Sequence, residues 1–398
     1  MPLRLFVVSN ETPFPPIHGG RVDQWSRFRE FRKRGVRLAC ATWQSTNDGP
    51  GGPQLEPLQA VFDQFLVFPI DQSPLALFRR LMYLPFYSPH VSTRILRGED
   101  RRRLIETARR FEPHAVWLDG LYGGVTARMI SSELAIPLYY RSHNVEFRYI
   151  KEQARHGRTM RDKIAWNLAA LHLERFETEI QRSSRLVFDI SLDDMQFWRS
   201  RGISNNLWLP TLAVAPDVRP IGFESRSWDV VFLGNLSTPN NLEGLHWFVV
   251  QVVPLLRMRL PDVKILIAGS RPTSEVRAML KEADILLCEN PPDANEILRN
   301  GRVLINPILR GSGMNVKSIE MLNQDAFVVT TSAGVRGMPE PAKRQFLVSD
   351  TEEGFAAFCA TSLQTPFALN DARLEARSQF GPKIIEQALS AMTANQPQ

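Results

Sequence analysis

Short apolar runs alternate along the chain with longer, charge-rich amphipathic stretches, and the alternation occurs in two series. The first opens on LRLFVVSN (3–10), apolar enough for a parallel strand buried on both faces. Gly19 and Gly20 follow, and then RVDQWSRFREFRKRG (21–35), whose spacing predicts a helix ended by Gly35. VRLACATW (36–43), AVWLD (115–119), PLYYR (137–141) and LVFDIS (186–191) read as further strands. Residues 160–183 have the spacing of one charged helix with a single buried face.

A proline-containing stretch, LPTLAVAPDVRP (209–220), reads as a linker. The second series begins with WDVVFLGN (228–235), a helix over 241–260, VKILIAGS (263–270) and a helix over 273–283. ILLCEN (285–290), RVLINPI (302–308) and AFVVTTS (326–332) are its later strands, with a helix over 315–323 between the last two. Such alternation demands parallel sheets covered by helices. The expected fold is α/β, with two Rossmann-like domains facing each other across a cleft. They are expected over 1–208 and 209–377, with a final helix at about 378–398 packing back on the first. Ligands in open parallel sheets collect beyond the carboxyl ends of the strands, which is where chemistry is to be sought.

Composition narrows the classes. At 398 residues, 43% of them hydrophobic and 23% charged, the chain can bury the cores of two or three domains. Cys40, Cys288 and Cys359 are far apart and form no metal-binding spacing, so buried free thiols in a reducing compartment are expected. No apolar run reaches the length of a spanning helix, and the amino terminus reads as a strand rather than a signal peptide. A cytoplasmic location follows as the expectation, with peripheral association at the inner face of the membrane as an extension of it. Residues 1–220 hold 31 Lys and Arg against 23 Asp and Glu, whereas residues 221–398 hold 17 against 19. Only the first half is therefore suited to an anionic partner. No nucleic-acid reader motif accompanies that charge, so nucleic acid is not expected.

The stretch richest in chemistry is RGSGMNVKSIEML (310–322), which follows a strand and opens a helix. Its glycines free backbone N–H groups for an anion. Arg310 and Lys317 together can neutralise a diphosphate, and Glu320 can accept hydrogen bonds from ribose hydroxyls. The plainer alternative is a glycine turn followed by a surface Lys–Glu pair.

The longer segment GSGMNVKSIEMLNQDAFVVTTSAGVRGM resembles the donor-site segment of glycosyltransferase family 4, retaining enzymes of the GT-B fold, in its branch with a Gly-Ser-Gly-x-x-x-Lys loop. PPIHGG (15–20), RSHNVE (141–146), FLGNLSTPNN (232–241) and LPDVKILIAGSRP (260–272) resemble other family segments in the expected order. The resemblance implies transfer of a hexose from a nucleotide diphosphate sugar to a glycan or lipid-linked acceptor, with retention and with no cofactor beyond that co-substrate. It implies that His143 touches the transferred sugar, and that Lys317, with Arg310, stabilises the leaving phosphates. Donor contacts are expected from Gly19, Gly20, Gly234, Asn235, Arg271, Gly311, Ser312, Gly313, Met314, Asn315 and Glu320, and the nucleotide base is expected near Asn290-Pro291-Pro292. Asp119 is expected either to orient the acceptor or to cap a turn.

The sequence departs from the family in two places. Ser312 stands where many members carry a sugar-binding Glu, and FLGNLSTPNN lacks their Arg and Lys. The first departure keeps open a catalytically silent nucleotide-sugar-binding relative, and a sugar-nucleotide epimerase shares the same outline. No Asp-x-Asp pair occurs, so metal-independent stabilisation of the phosphates is expected. The stretch 73–104 mixes large apolar residues with arginines. It suits an anionic membrane surface, or else a core helix with a solvated basic face.

Overall fold

A computed structural model of the protein describes residues 2–16, 19–45, 55–71, 73–156, 159–213, 221–311 and 313–394. The chain forms two compact units: Met1–Pro210 with Ile385–Gln398, and Thr211–Ile384. The last helix, Lys383–Ala394, belongs chiefly to the first unit, where Tyr139 donates its hydroxyl to the Met392 carbonyl (3.0 Å).

Unit 1 is built on β1 (Arg4–Ser9), β2 (Arg37–Ser45), β3 (Gln64–Ile70), β4 (Ala115–Asp119), β5 (Leu138–Ser142), β6 (Leu186–Asp189) and β7 (Asn206–Trp208). They lie in the order β3-β2-β1-β4-β5-β6-β7, and every pairing is parallel. Every residue of β4 and β5 is buried, as a sheet covered on both faces requires. Strand order reverses between β1 and β4, so the carboxyl ends of these two strands bracket the crevice where such a sheet takes ligands.

Unit 2 repeats the plan with β8 (Trp228–Asn235), β9 (Ile265–Ser270), β10 (Leu286–Glu289), β11 (Gly301–Asn306), β12 (Phe327–Thr330) and β13 (Leu347–Val348). Their order is β10-β9-β8-β11-β12-β13, again all parallel, with the switch point between β8 and β11. Its core gathers Val230, Phe232, Phe248, Ile267, Ile305 and Phe355, among others.

Several expected elements change form. The helix expected over 160–183 is two helices, Met160–Ala170 and Leu173–Ser183, broken at His172, whose φ of 58° is left-handed. Only the second buries a face, through Leu173, Phe176 and Ile180; the first buries Ala169 alone among its described side chains. The helix expected over 241–260 runs as Pro239–Trp247, a π turn at Phe248–Val252, and Val253–Arg259. Pro254 has no N–H and crowds the preceding turn, and the wider turn relieves that crowding. β3, β7 and β13 were not anticipated. β3 contains Pro69 and lies at a sheet edge, and the other two span three and two residues. Among the described residues no helix is long and apolar enough to cross a membrane, and the three cysteines are free, with Cys40 and Cys359 buried.

Close approach in unit 2 depends on glycine. A Cβ at Gly244 would stand 2.2 Å from the Pro307 carbonyl oxygen, so this residue lets the Pro239 helix lie against the segment leaving β11. Gly244→Ala is expected to cost about 1–3 kcal/mol. Gly311→Ala, whose Cβ would meet nothing nearer than 3.6 Å, should stay within about 0.5 kcal/mol. Urea unfolding of the two variants measures the contrast.

Candidate active site

In unit 2 the loop leaving β8 is shaped by its own polar groups. The Asn235 Oδ1 accepts from the Ser237 backbone N–H (2.9 Å) and hydroxyl (2.7 Å), closing an Asx turn that delivers the chain to Pro239 at the helix start. Asn241, in the first turn of that helix, donates its amide to the Asn235 carbonyl (2.7 Å). Its Oδ1 accepts from Lys317 Nζ at 2.7 Å. Lys317 lies on helix Val316–Leu322, with its ammonium 4.7 Å from the centroid of the Phe232 ring. Burial pushes Lys317 down to about 8 against the pull of Glu320, and pushes Glu320 up to about 7 against the pull of Lys317. Arg310 pairs with Glu243 of the Pro239 helix (Nη2–Oε1 2.7 Å).

The segment between β11 and Lys317 is tethered on several sides. The Thr331 hydroxyl donates to the Ile308 carbonyl, Arg336 Nη1 donates to the Gly311 carbonyl (2.6 Å), and the Asn306 amide donates to Ser318 Oγ (2.9 Å). Gly313 has a φ of 67°, a value that favours glycine. Met314 buries its side chain, so only its backbone is free to meet a ligand, and Asn315 precedes the helix without a side-chain cap bond. Ser312 lies outside the described residues.

Arg310, Lys317, Glu320 and the Gly234–Asn235 turn therefore gather at the carboxyl ends of β8 and β11, joined through Asn241 and Glu243. These last two had no assigned role in the sequence reading; the Pro-Asn-Asn-x-Glu run at a helix start was the available signal. The Asn235 side-chain oxygen is committed to its turn. Arg271, exposed after β9 with a φ of 53°, donates its backbone N–H to Asn290 Oδ1 (3.3 Å). Among the described residues, no hydrogen bond or ion pair joins it to Lys317.

Unit 1 carries a charge network at its own switch point. Gly19 and Gly20 are not part of a loop; they open the helix Gly19–Lys33. That helix turns Asp23, Gln24 and Arg27 inward. Arg27 donates to Asp23 (2.5 Å) and to Asp119 at the end of β4 (2.7 Å), and Arg141 on β5 donates to both Asp23 oxygens (3.2 Å each) and to the Leu209 carbonyl. Asp119 also takes Gln24 (3.0 Å) and the Trp117 indole N–H (2.9 Å), and His143 Nε2 stands 2.8 Å from it. Burial disfavours the Asp119 carboxylate, but Arg27 and His143 outweigh it and hold the group well below the usual range. Asp23 is likewise held low, with Arg141 and Arg27 overcoming its burial.

Asp119 is fully buried with its oxygens engaged, so a direct acceptor contact is replaced by a different role: it fixes the imidazole of His143, whose side chain is 21% exposed. The stretch around His143 is held from the other side as well. Glu177 accepts from the Glu146 and Phe147 backbone N–H groups (2.9 Å each) at the start of helix Glu146–His156, and Tyr122 donates its hydroxyl to Glu146 (2.5 Å). Neither the Asp23–Arg27 pair nor Glu177 was anticipated. Among the described residues no group of three or more His, Cys, Asp or Glu is placed to hold a metal ion.

Residues 228–365, about a third of the chain, match the family described as Glycosyl transferases group 1. An uncharacterized 44.6 kDa protein in the cps region of Klebsiella pneumoniae is 25% identical over 363 residues, covering 89% of each chain. Among solved structures, Anabaena Alr3699/HepE in complex with UDP and glucose has a TM-score of 0.61 at 11% identity, over 98% of this chain and 99% of that one. TarM has a TM-score of 0.66 at 9% identity over 100% and 99%, and a Staphylococcus aureus TarM mutant is solved with fondaparinux, alpha-GlcNAc-glycerol and UDP. The chain has the two-domain, Rossmann-like GT-B fold.

The network sets a stability test. Arg27→Met leaves the buried Asp23 and Asp119 carboxylates without their shared cation, and is expected to cost about 3–5 kcal/mol. Both carboxylates are depressed in the folded state. Their contribution is complete above the unfolded value of about 3.9 and is lost as pH falls through the folded values. Acid unfolding of Arg27→Met should therefore begin at higher pH than in the parent, as circular dichroism against pH would show.

Proposed function

We propose that the chain is a glycosyltransferase of the family 4 type. It transfers a hexose from a nucleotide diphosphate sugar to a glycan or lipid-linked acceptor, with retention at the anomeric carbon. The observation that carries this reading is the half-buried Lys317 ammonium at the β8/β11 switch point, within the segment that matches the glycosyltransferase family. The relatives add weight: HepE is solved with UDP and glucose, a TarM mutant with fondaparinux, alpha-GlcNAc-glycerol and UDP, and the Klebsiella relative is a protein in the cps region.

In this reading the donor diphosphate lies against Lys317 and Arg310, with the backbone of Gly311, Ser312, Gly313, Met314 and Asn315 beside it. Glu320 accepts from the ribose. The two cations stabilise the negative charge that develops as the sugar–phosphate bond breaks, the task a metal ion performs in other transferases. No cofactor beyond the co-substrate enters. A desolvated lysine is suited to this role, since water around it is already reduced and a diphosphate restores the solvation it lacks. His143, oriented by Asp119, serves the transferred sugar, and the acceptor hydroxyl attacks on the face the nucleotide leaves.

Two tests follow. Lys317→Ala should weaken nucleoside diphosphate binding by about 1.5–3 kcal/mol and abolish transfer. Nuclear magnetic resonance of the anomeric proton in donor and product checks retention, and turnover of donor with no acceptor present would instead indicate an epimerase. A nucleotide that binds without turnover with any acceptor indicates a silent relative.

The second test is pH dependence. Lys317 is pushed down to about 8, so its charge is present below that pH and lost above it. Nucleoside diphosphate affinity should fall about tenfold from pH 7 to pH 9, by calorimetry, and Lys317→Arg should flatten that fall.

A further inference from the structure

Large apolar side chains stand exposed along two helices of unit 1. On helix Pro74–Tyr83 and the turn after it, Leu75, Phe78, Met82 and Phe86 recur at helical spacing, with Phe78 at 60% and Phe86 at 68% exposure. On helix Met160–Ala170 and the residue after it, Met160, Ile164, Leu168 and Leu171 do the same, with Met160 at 72%. Both helices pack on the short helix Pro89–Ser92, so the two stripes belong to one region of the unit. Exposed large apolar residues elsewhere among the described residues form no comparable run; Val250, Met258, Leu286 and Val348 lie apart in sequence, and Leu369 and Leu374 are a single pair. Eight such residues in two periodic rows are not the scattered apolar surface of an ordinary soluble domain.

The charge beside the rows selects an occupant. Arg161 and Lys163 are exposed on the same helix as Met160 and Ile164. At the carboxyl end of that row, a cavity of about 670 Å³ is lined by Lys151, Arg175, Arg182 and Arg201, with only Glu174 and Glu179 opposing them. Its wall includes Ala170 and His172, the neighbours of exposed Leu171. Glu174 is shared between Lys151 (2.9 Å) and Arg201 (2.8 Å), and Arg175 pairs with Glu179 (2.9 Å), so the lining retains an excess of two cations. A second copy of the same chain would bring like charge against this rim. An anionic bilayer supplies both the hydrocarbon for the rows and the phosphate for the cavity.

We infer that unit 1 docks on an anionic lipid bilayer through the rows Leu75–Phe86 and Met160–Leu171, with the Lys151–Arg201 cavity taking lipid phosphate. The inference does not depend on the donor chemistry assigned to unit 2. The first row lies within the stretch 73–104 expected to suit a membrane surface, and the second extends that region to helix Met160–Ala170.

Co-sedimentation of the full chain with phosphatidylcholine vesicles, with and without phosphatidylglycerol, tests it. Binding is expected only with the anionic lipid and should weaken as salt rises. The double variant Phe78→Glu, Ile164→Glu should bind such vesicles at least about tenfold more weakly. Its circular dichroism spectrum and its thermal unfolding should match those of the parent, which verifies that the fold is intact. Arg182→Gln should lower binding by about fivefold, the loss of one cation near the surface. The inference is overturned if the parent ignores anionic vesicles, or binds neutral ones equally. It is also overturned if the double variant binds as the parent does, or if the parent is a dimer in light scattering that the double variant converts to monomer.

Discussion

Withdrawing an ammonium from water is costly unless something replaces the water, and the site in unit 2 is organised around that constraint. Lys317 has one amide oxygen, from Asn241, and one aromatic face, from Phe232. Neither supplies a full counter-charge. Glu320 does, but its own burial favours the protonated acid, up to about 7. In both Lys317 and Glu320 the same lack of water disfavours the charged form. The proposed diphosphate would resolve the conflict for Lys317, as proton uptake would for Glu320. Asn241 matters twice, because the amide that holds Lys317 also holds the Asn235 carbonyl at the end of β8. The turn leaving the strand and the lysine on a distant helix are fixed by one side chain.

Unit 1 has the same sheet order up to its edges and places its charge differently. Asp23, Arg27, Asp119 and Arg141 are two acids and two bases, each buried and each paired within the group. Such a network holds little surplus charge for a ligand. Its effect is geometric: it locks the amino end of helix Gly19–Lys33 to the ends of β4 and β5, and it leaves His143 as the partly exposed member. Glu177 fixes the following helix from the opposite direction. A partly exposed imidazole held in this way has few rotamers left to lose.

How much of this was legible in the sequence depended on what each residue does. AVWLD and WDVVFLGN emerge as strands over the expected residues, because a strand buried on both faces needs only an unbroken apolar run. Lys317 and Glu320 were legible as a pair because glycines, a cation and a helix start coincide in one short segment. The Asp23–Arg27 pair was not. Charges four apart on a helix look the same in sequence whether they face water or a neighbouring strand, and only the fold brings Asp119 and Arg141 to them. The break at His172 was hidden for a related reason: the apolar spacing runs through it without a gap, while the backbone reverses sign at one residue that is neither Gly nor Pro.

The surface row follows from helix geometry. Side chains turn by about 100° per residue along a helix, so Met160 and Ile164 stand about 160° away from the direction Phe176 and Ile180 would take in one straight helix, whereas Trp166 and Ala169 share it. Accordingly Trp166 and Ala169 meet the core while Met160, Ile164 and Leu168 face out. The capping box at Thr159 and Asp162 stabilises the start of this helix locally, and Trp166, Ala169 and Ala170 tie its inner face to the core. Met160, Ile164 and Leu168 are left exposed on the outer face. They contribute free energy only when something outside the unit covers them, and the cations beside them limit what that partner can be.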